Sequence, residues 1–351
     1  MKKNILFLAL AAIMASCSSG EYEEWANPQS SAQEAAQTVS FTATAAPAID
    51  FNNVTTEYVQ LFVPTATSNN TITSQSLFAT LSSSDGTVTK KIDATQDGKV
   101  KASDLQSAVE DLYGLAGDVR QIPTVITDTI KVNGVGYIRT ASVTSTVNLV
   151  TPSYTELLYE MGAESGWSTN HTLRSANFDG KYEGFYYLNG EFKFKVDANS
   201  WDPINYGYAS EGKLADHGGN IPDPGAGFYQ IKVDLGEGTY SLTKINYISI
   251  TGDGVGGWPT DGDNNSHDKE MTYNVAEGCW EWTGTIAASK GFKIRMNHDW
   301  TISWGGKAGA TDYDNMTYSN GNNLEVAEDG TYEVKFYLTY EGNNKVIITK
   351  K

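Results

Sequence analysis

Two stretches of this chain are spelled alike, and that likeness limits what the chain can fold into more than any other feature. Residues 179–207 read DGKYEGFYYLNGEFKFKVDANSWDPINYG, and residues 277–305 read EGCWEWTGTIAASKGFKIRMNHDWTISWG. With small gaps, Phe192-Lys193-Phe194-Lys195 falls on Phe292-Lys293-Ile294-Arg295, Trp201 on Trp300, and Tyr206 on Trp304. Upstream, EMGAESGWS pairs with ITGDGVGGWP, which sets Trp167 on Trp258. From Phe192 to Phe292 the offset is 100 residues, too long for one unit of a solenoid. The reading is two homologous modules, 154–245 and 246–351. In each, apolar and polar residues alternate along the Phe-Lys stretch, the pattern of a strand with one buried face.

The segment before the repeat is built differently. Strand-like runs begin at 38–44, 58–64 and 75–83, and a long pair around Asn133–Gly134 reads as a hairpin with a two-residue turn. One helix interrupts them at 102–117. Ser103 with Gln106 matches a capping box, and Leu105, Val109, Leu112 and Leu115 keep helical spacing. Seven of the eight tryptophans lie beyond Pro152, so residues 38–153 read as an immunoglobulin-like spacer and the repeat carries the aromatic surface. Short strands, 34 glycines and 20 tyrosines give an all-β fold class, with two tandem β-sandwich modules after the spacer. A net charge of −17 argues against nucleic acid as a partner and against docking on anionic lipid.

The first residues read as an export signal. Lys2 and Lys3 precede an apolar run from Ile5 to Met14, too short to span a bilayer. Ala15 and Ser16 then lead into Cys17, which resembles a bacterial lipobox, so residues 1–17 form a lipoprotein signal with Cys17 as the lipidated residue. The polar stretch 18–37 reads as a tether, and its opening SSGEYEE resembles a surface-export signal of Bacteroidetes lipoproteins. The second cysteine, Cys279, then has no partner and reads as a small packed hydrophobe.

Trp167, Trp201, Trp258, Trp300, Trp304 and Tyr206 offer flat apolar faces, and Lys193, Lys195, Lys293, Arg295 and Asn297 offer hydrogen-bond donors beside them. A sugar ring presents an apolar C–H face and an equator of hydroxyls, so this pairing suits a neutral glycan. These eleven residues are the candidate glycan-binding set, with Asp197 beside them. The four histidines show no metal-ligand spacing, and no cofactor motif is evident. The loop from Asp261 opens like an EF-hand but has Ser266 where glycine is needed and Thr272 where glutamate is needed. No nucleophile-elbow motif appears.

A lipobox, an Ig-like N-terminal domain and two tandem modules, each with a Gly-Trp opening and an F-K-[FI]-[KR]…W…[YW]-G hairpin, resemble the SusE/SusF type of outer-membrane starch-binding lipoprotein. That resemblance implies a non-catalytic protein anchored on the outer membrane and facing the cell exterior. It implies capture of polysaccharide, α-glucan first, beside a SusC/SusD-type transporter. The alternatives are a small β-sandwich hydrolase or lyase, and a structural surface protein whose aromatics are all core.

Overall fold

The computed structural model describes residues 36–260 and 265–351. The signal-like segment with Cys17, and the tether up to residue 35, lie outside the described residues. The chain is all-β but for one α-helix among those residues, and no described helix is long and apolar enough to cross a membrane.

The N-terminal unit contains β1 (Val39–Ala45), β2 (Ile49–Asp50), β3 (Tyr58–Gln60), β4 (Phe62–Ser68), β5 (Ile72–Ser82), β6 (Thr89–Ala94), β7 (Lys99–Lys101), α1 (Ala102–Tyr113), β8 (Val119–Val132) and β9 (Val135–Asn148). Seven strands form one sheet in the order β2-β9-β8-β5-β6-β7-β3, while β1 and β4 pair as a separate ribbon. This differs from the two comparable sheets of an immunoglobulin-like sandwich. The turn of the β8–β9 hairpin falls on Asn133 and Gly134, both at positive φ (51° and 80°), as a two-residue hairpin loop demands.

Helix α1 covers the sheet with Leu105, Ala108 and Val109 buried. Its expected capping box is absent. The helix starts two residues earlier than that box requires, because β7 runs straight into it, and Lys101 occupies the N-cap without a side-chain hydrogen bond. The Ala102 N–H donates to the Glu57 carbonyl at 2.8 Å, and Ser103 Oγ turns to Asp104. Gly114 ends the helix at φ 80°, its N–H donating to Glu110 O.

The second module comprises β10 (Leu157–Gly162), β11 (His171–Arg174), β12 (Lys181–Leu188), β13 (Phe192–Lys195), β14 (Asn205–Ser210), β15 (Lys213–Asp216), β16 (Gly227–Asp234) and β17 (Thr239–Ile245). The third comprises β18 (Ile248–Thr251), β19 (Lys269–Glu270), β20 (Thr272–Asn274), β21 (Cys279–Ile286), β22 (Lys293–Met296), β23 (Asp299–Gly306), β24 (Met316–Thr317), β25 (Gly330–Tyr337) and β26 (Lys345–Lys350). In the third module the strands split into two sheets, β19-β18-β22-β23-β24 and β20-β21-β25-β26. The second module repeats the first of these as β11-β10-β13-β14-β15 and the second as β12-β16-β17. Its two sheets are joined into a closed barrel at both edges, each time through one residue pair, Arg174–Glu183 and Lys213–Thr239.

The third module's core extends onto the second module. Tyr182, Tyr186 and Leu188 on one face of β12 enter the second module's interior. Phe185 on the other face, with Phe228 from β16 and Ile245 from β17, belongs to the third module's apolar cluster. The Phe185 N–H donates to Thr339 O at 2.6 Å, and Tyr318 Oη donates to Glu183 Oε2 at 2.6 Å across the same seam.

Candidate functional site

The register of the two modules matches residue by residue. Met161 lies opposite Lys193 and Tyr159 opposite Lys195; Thr251 lies opposite Lys293 and Ser249 opposite Arg295. Side chains alternate across a strand, so the basic residues share the outer face, while Phe192, Phe194, Phe292 and Ile294, all buried, point inward. The hairpins that leave β13 and β22 carry Trp201 and Trp300. The loops that leave β10 and β18 carry Trp167 and Trp258. Each loop brings its tryptophan to the partner hairpin: Trp167 and Trp201 have ring centroids 6.4 Å apart at 59°, and Trp258 and Trp300 lie 5.9 Å apart at 46°. Trp201 and Trp300 are 36% and 44% exposed, and Trp167 and Trp258 are half-buried behind them.

The basic residues divide into two roles in both copies. The inner one is buried under its tryptophan. Lys195 Nζ sits 5.1 Å from the Trp201 ring centroid and donates to Ala198 O at 2.9 Å. Arg295 lies 4.7 Å from the Trp300 ring centroid and is gripped by the Asp268 carboxylate, with Nε donating to Oδ1 at 2.8 Å and Nη2 to Oδ2. Ser249 Oγ also donates to that carboxylate, at 2.5 Å. Burial works against the charged Asp268, but the Arg295 and Ser249 hydrogen bonds outweigh it and keep its pKa below the usual carboxylate range. The outer residue of each pair is free of such partners: Lys193 and Lys293 are half-buried and make no hydrogen bond or ion pair among the described residues. Lys193 reaches only the Trp201 ring, at 5.7 Å, and burial holds the Lys293 ammonium below its ordinary pKa.

Five of the eleven expected residues sit elsewhere than an exposed platform: Lys195, buried beneath Trp201 as described, and four others. Trp304 is wholly buried, because β23 places it opposite Ile294 on the inward face. Its ring packs against Phe185 (5.7 Å), Phe336 (5.2 Å) and Tyr318 (6.5 Å), so it pins the third module to the second. Tyr206, its counterpart opposite Phe194, packs half-buried on the second core. Arg295 is 2% exposed, and its ion pair leaves it no free face toward solvent. Asn297 occupies a turn at φ 51°, and its Oδ1 accepts from the Asn246 and Tyr247 N–H groups at 2.8 and 3.1 Å. Asp268 carried no signal in the sequence reading, since only the fold brings it to Arg295. Cys279 is buried, and burial pushes its thiol up to about 11, away from a reactive thiolate.

A groove lies away from the tryptophan pairs, between the two modules, and contains Glu183 and Glu341. Both carboxylates are engaged by the protein, Glu183 by Tyr318 and Gln230 and Glu341 by the Thr317 hydroxyl.

Residues 17–151 match the family described as "Outer membrane protein SusF, N-terminal domain". The crystal structure of SusF from Bacteroides thetaiotaomicron matches with a TM-score of 0.40 and 17% identity, over 89% of this chain and 76% of that one. No curated protein matches the chain in sequence. The family likeness thus lies in residues 17–151, which match the N-terminal domain of the SusF outer-membrane proteins.

Proposed function

We propose that the chain is a non-catalytic glycan-capture protein of the cell surface, with one binding face on each C-terminal module. The observation that carries this reading is the repetition itself. Two exposed tryptophan pairs occur in one register, each backed by a buried cation and flanked by a lysine without a protein partner. An isolated aromatic on a surface is ordinary. A pair held at the same place in two copies, on opposite-sense loops, with a donor beside it, is what stacking on a sugar face and hydrogen bonding to its hydroxyls require. The rings of each pair are canted by 46–59° rather than coplanar, which suits a curved chain such as an α-glucan better than a flat ribbon. Trp167, Lys193 and Trp201 form one face, and Trp258, Lys293 and Trp300 the other. Lys195 and Arg295 support them from beneath. Lipidation at Cys17, exposure to the cell exterior and delivery of glycan to a SusC/SusD-type transporter complete the proposal, through the family to which the N-terminal domain belongs.

Affinity electrophoresis in gels containing starch, glycogen, or a β-glucan tests it. Wild type should be retarded by an α-glucan, and the double variant Trp201→Ala/Trp300→Ala should run as in a plain gel. Equal mobility of wild type and double variant in every polysaccharide gel would overturn the assignment.

A further inference from the structure

Beneath the Trp167 loop the second module holds a group of residues that the third module lacks. Glu160 is wholly buried, at the position where the third module has Ile250. His171 lies opposite Glu160, as Lys269 lies opposite Ile250. Glu164 joins them from the loop, with 6% of its side chain exposed. The His171 Nδ1 is 2.6 Å from Glu160 Oε2 and 3.4 Å from Glu164 Oε1. A sandwich of this design therefore folds with an isoleucine where Glu160 stands, so the carboxylate is not there for packing.

Three oxygens of the group, Glu160 Oε1 and both of Glu164, are buried with no hydrogen-bond partner. A buried carboxylate oxygen without a partner is costly. Gly162 makes room for both, since a Cβ there would fall 2.6 Å from Glu160 Oε1 and collide with Glu164 as well. The His171 ring is fixed by stacking on Tyr186 at 4.4 Å, and Tyr186 Oη is tied to Thr172 O at 2.7 Å. One ligand atom from each of the three side chains lies within 4.8 Å of the others.

We infer that Glu160, Glu164 and His171 form a binding site for a divalent transition-metal ion, of the Zn²⁺ or Mn²⁺ class. Carboxylate oxygens with an imidazole nitrogen suit these ions, whereas calcium and magnesium favour oxygen ligands alone. Because Glu164 and His171 flank Trp167 in the chain, the ion would tie down both ends of the loop that presents this ring. The inference rests on the register of the module and stands whether or not the module binds glycan.

Calorimetric titration of the full-length protein with Zn²⁺, and separately with Mn²⁺, at neutral pH tests it directly. One ion should bind per chain, and Glu160→Gln and Glu164→Gln should each weaken binding by about tenfold or more. Circular dichroism checks that the variants fold; if Glu160→Gln does not, Glu164→Gln on the loop decides. Ion binding should also shift the tryptophan emission of wild type but not of Trp167→Phe. Absence of binding by wild type, binding of undiminished strength in folded Glu164→Gln, or binding that leaves Trp167 emission unchanged would each overturn the inference.

Discussion

Across the β13–β14 pair Phe194 faces Tyr206, and across β22–β23 Ile294 faces Trp304. The lattice positions are the same, but Tyr206 is half-buried on its own core while Trp304 is enclosed completely, because only the third module has the outer face of β12 to pack against. The inward positions thus differ between the copies, each adapted to its surroundings: Glu160 against Ile250, Tyr206 against Trp304. The outer face is instead repeated almost unchanged, in tryptophan pair, inner cation and outer lysine. Apolar packing tolerates exchange of shape as long as volume is filled, as at Tyr206 and Trp304, whereas a face that binds a ligand, as proposed, would be held to one arrangement.

The comparison breaks most easily at the buried positions. Trp304→Ala should destabilise the C-terminal modules by about 3–5 kcal/mol, the range for an aromatic removed from a packed core, and Tyr206→Ala should cost clearly less. Urea unfolding of both variants measures this, and equal losses would show that the third core does not depend on the seam. Arg295→Ala belongs with Trp304, at about 3–5 kcal/mol, since it strands the buried Asp268 carboxylate.

An intermediate effect is expected on the outer face. Trp300→Ala should abolish binding by the third module at a stability cost of about 1 kcal/mol or less, because a half-exposed ring leaves no enclosed cavity; Trp201→Ala should do the same to the second. Thermal melts paired with calorimetry separate the two quantities, and a large fall in melting temperature for either variant would move that ring from platform to core.

The smallest effect falls on the free lysines. Lys293→Ala and Lys193→Ala should weaken glycan binding by about 1–3 kcal/mol, the range for hydrogen bonds from a charged donor. If the ligand is a neutral glycan, as proposed, the affinity of wild type should hardly change between low and high salt, unlike phosphate binding. Unequal losses at the two lysines would show that the modules differ in use despite their common face.

Much of this was legible in the sequence because it is local or periodic. The repeat fixed the equivalence of Trp167 with Trp258 and of Trp201 with Trp300, and Asn133–Gly134 marked its hairpin. Alternation assigned Lys293 and Arg295 correctly to one face, but a face is not an exposure. What covers Arg295 is Trp300 from the next turn and Asp268 from another strand's approach, and neither contact has a sequence period. Trp304 was misread for a related reason: its spacing from Trp300 suggested a common platform, while the strand register turns it inward toward Phe185, which lies in the preceding module. The Glu160–Glu164–His171 group escaped notice because the pairing of β10 with β11, not a ligand spacing, brings it together.

The seam around Phe185 has a consequence for how a long polymer would be held. Where two binding modules hang on a flexible linker, the second contact is governed by an effective concentration that falls as the linker lengthens. Here β12 serves both interiors, so the two faces are set at one separation and one angle. If both faces bind glycan as proposed, the arrangement would act as a caliper: a chain whose pitch and curvature match that span would gain both contacts at little entropic cost, and a glycan of the same sugars but another shape would gain only one. Selection among polysaccharides would then reside in the distance between the two surfaces as well as in the surfaces themselves.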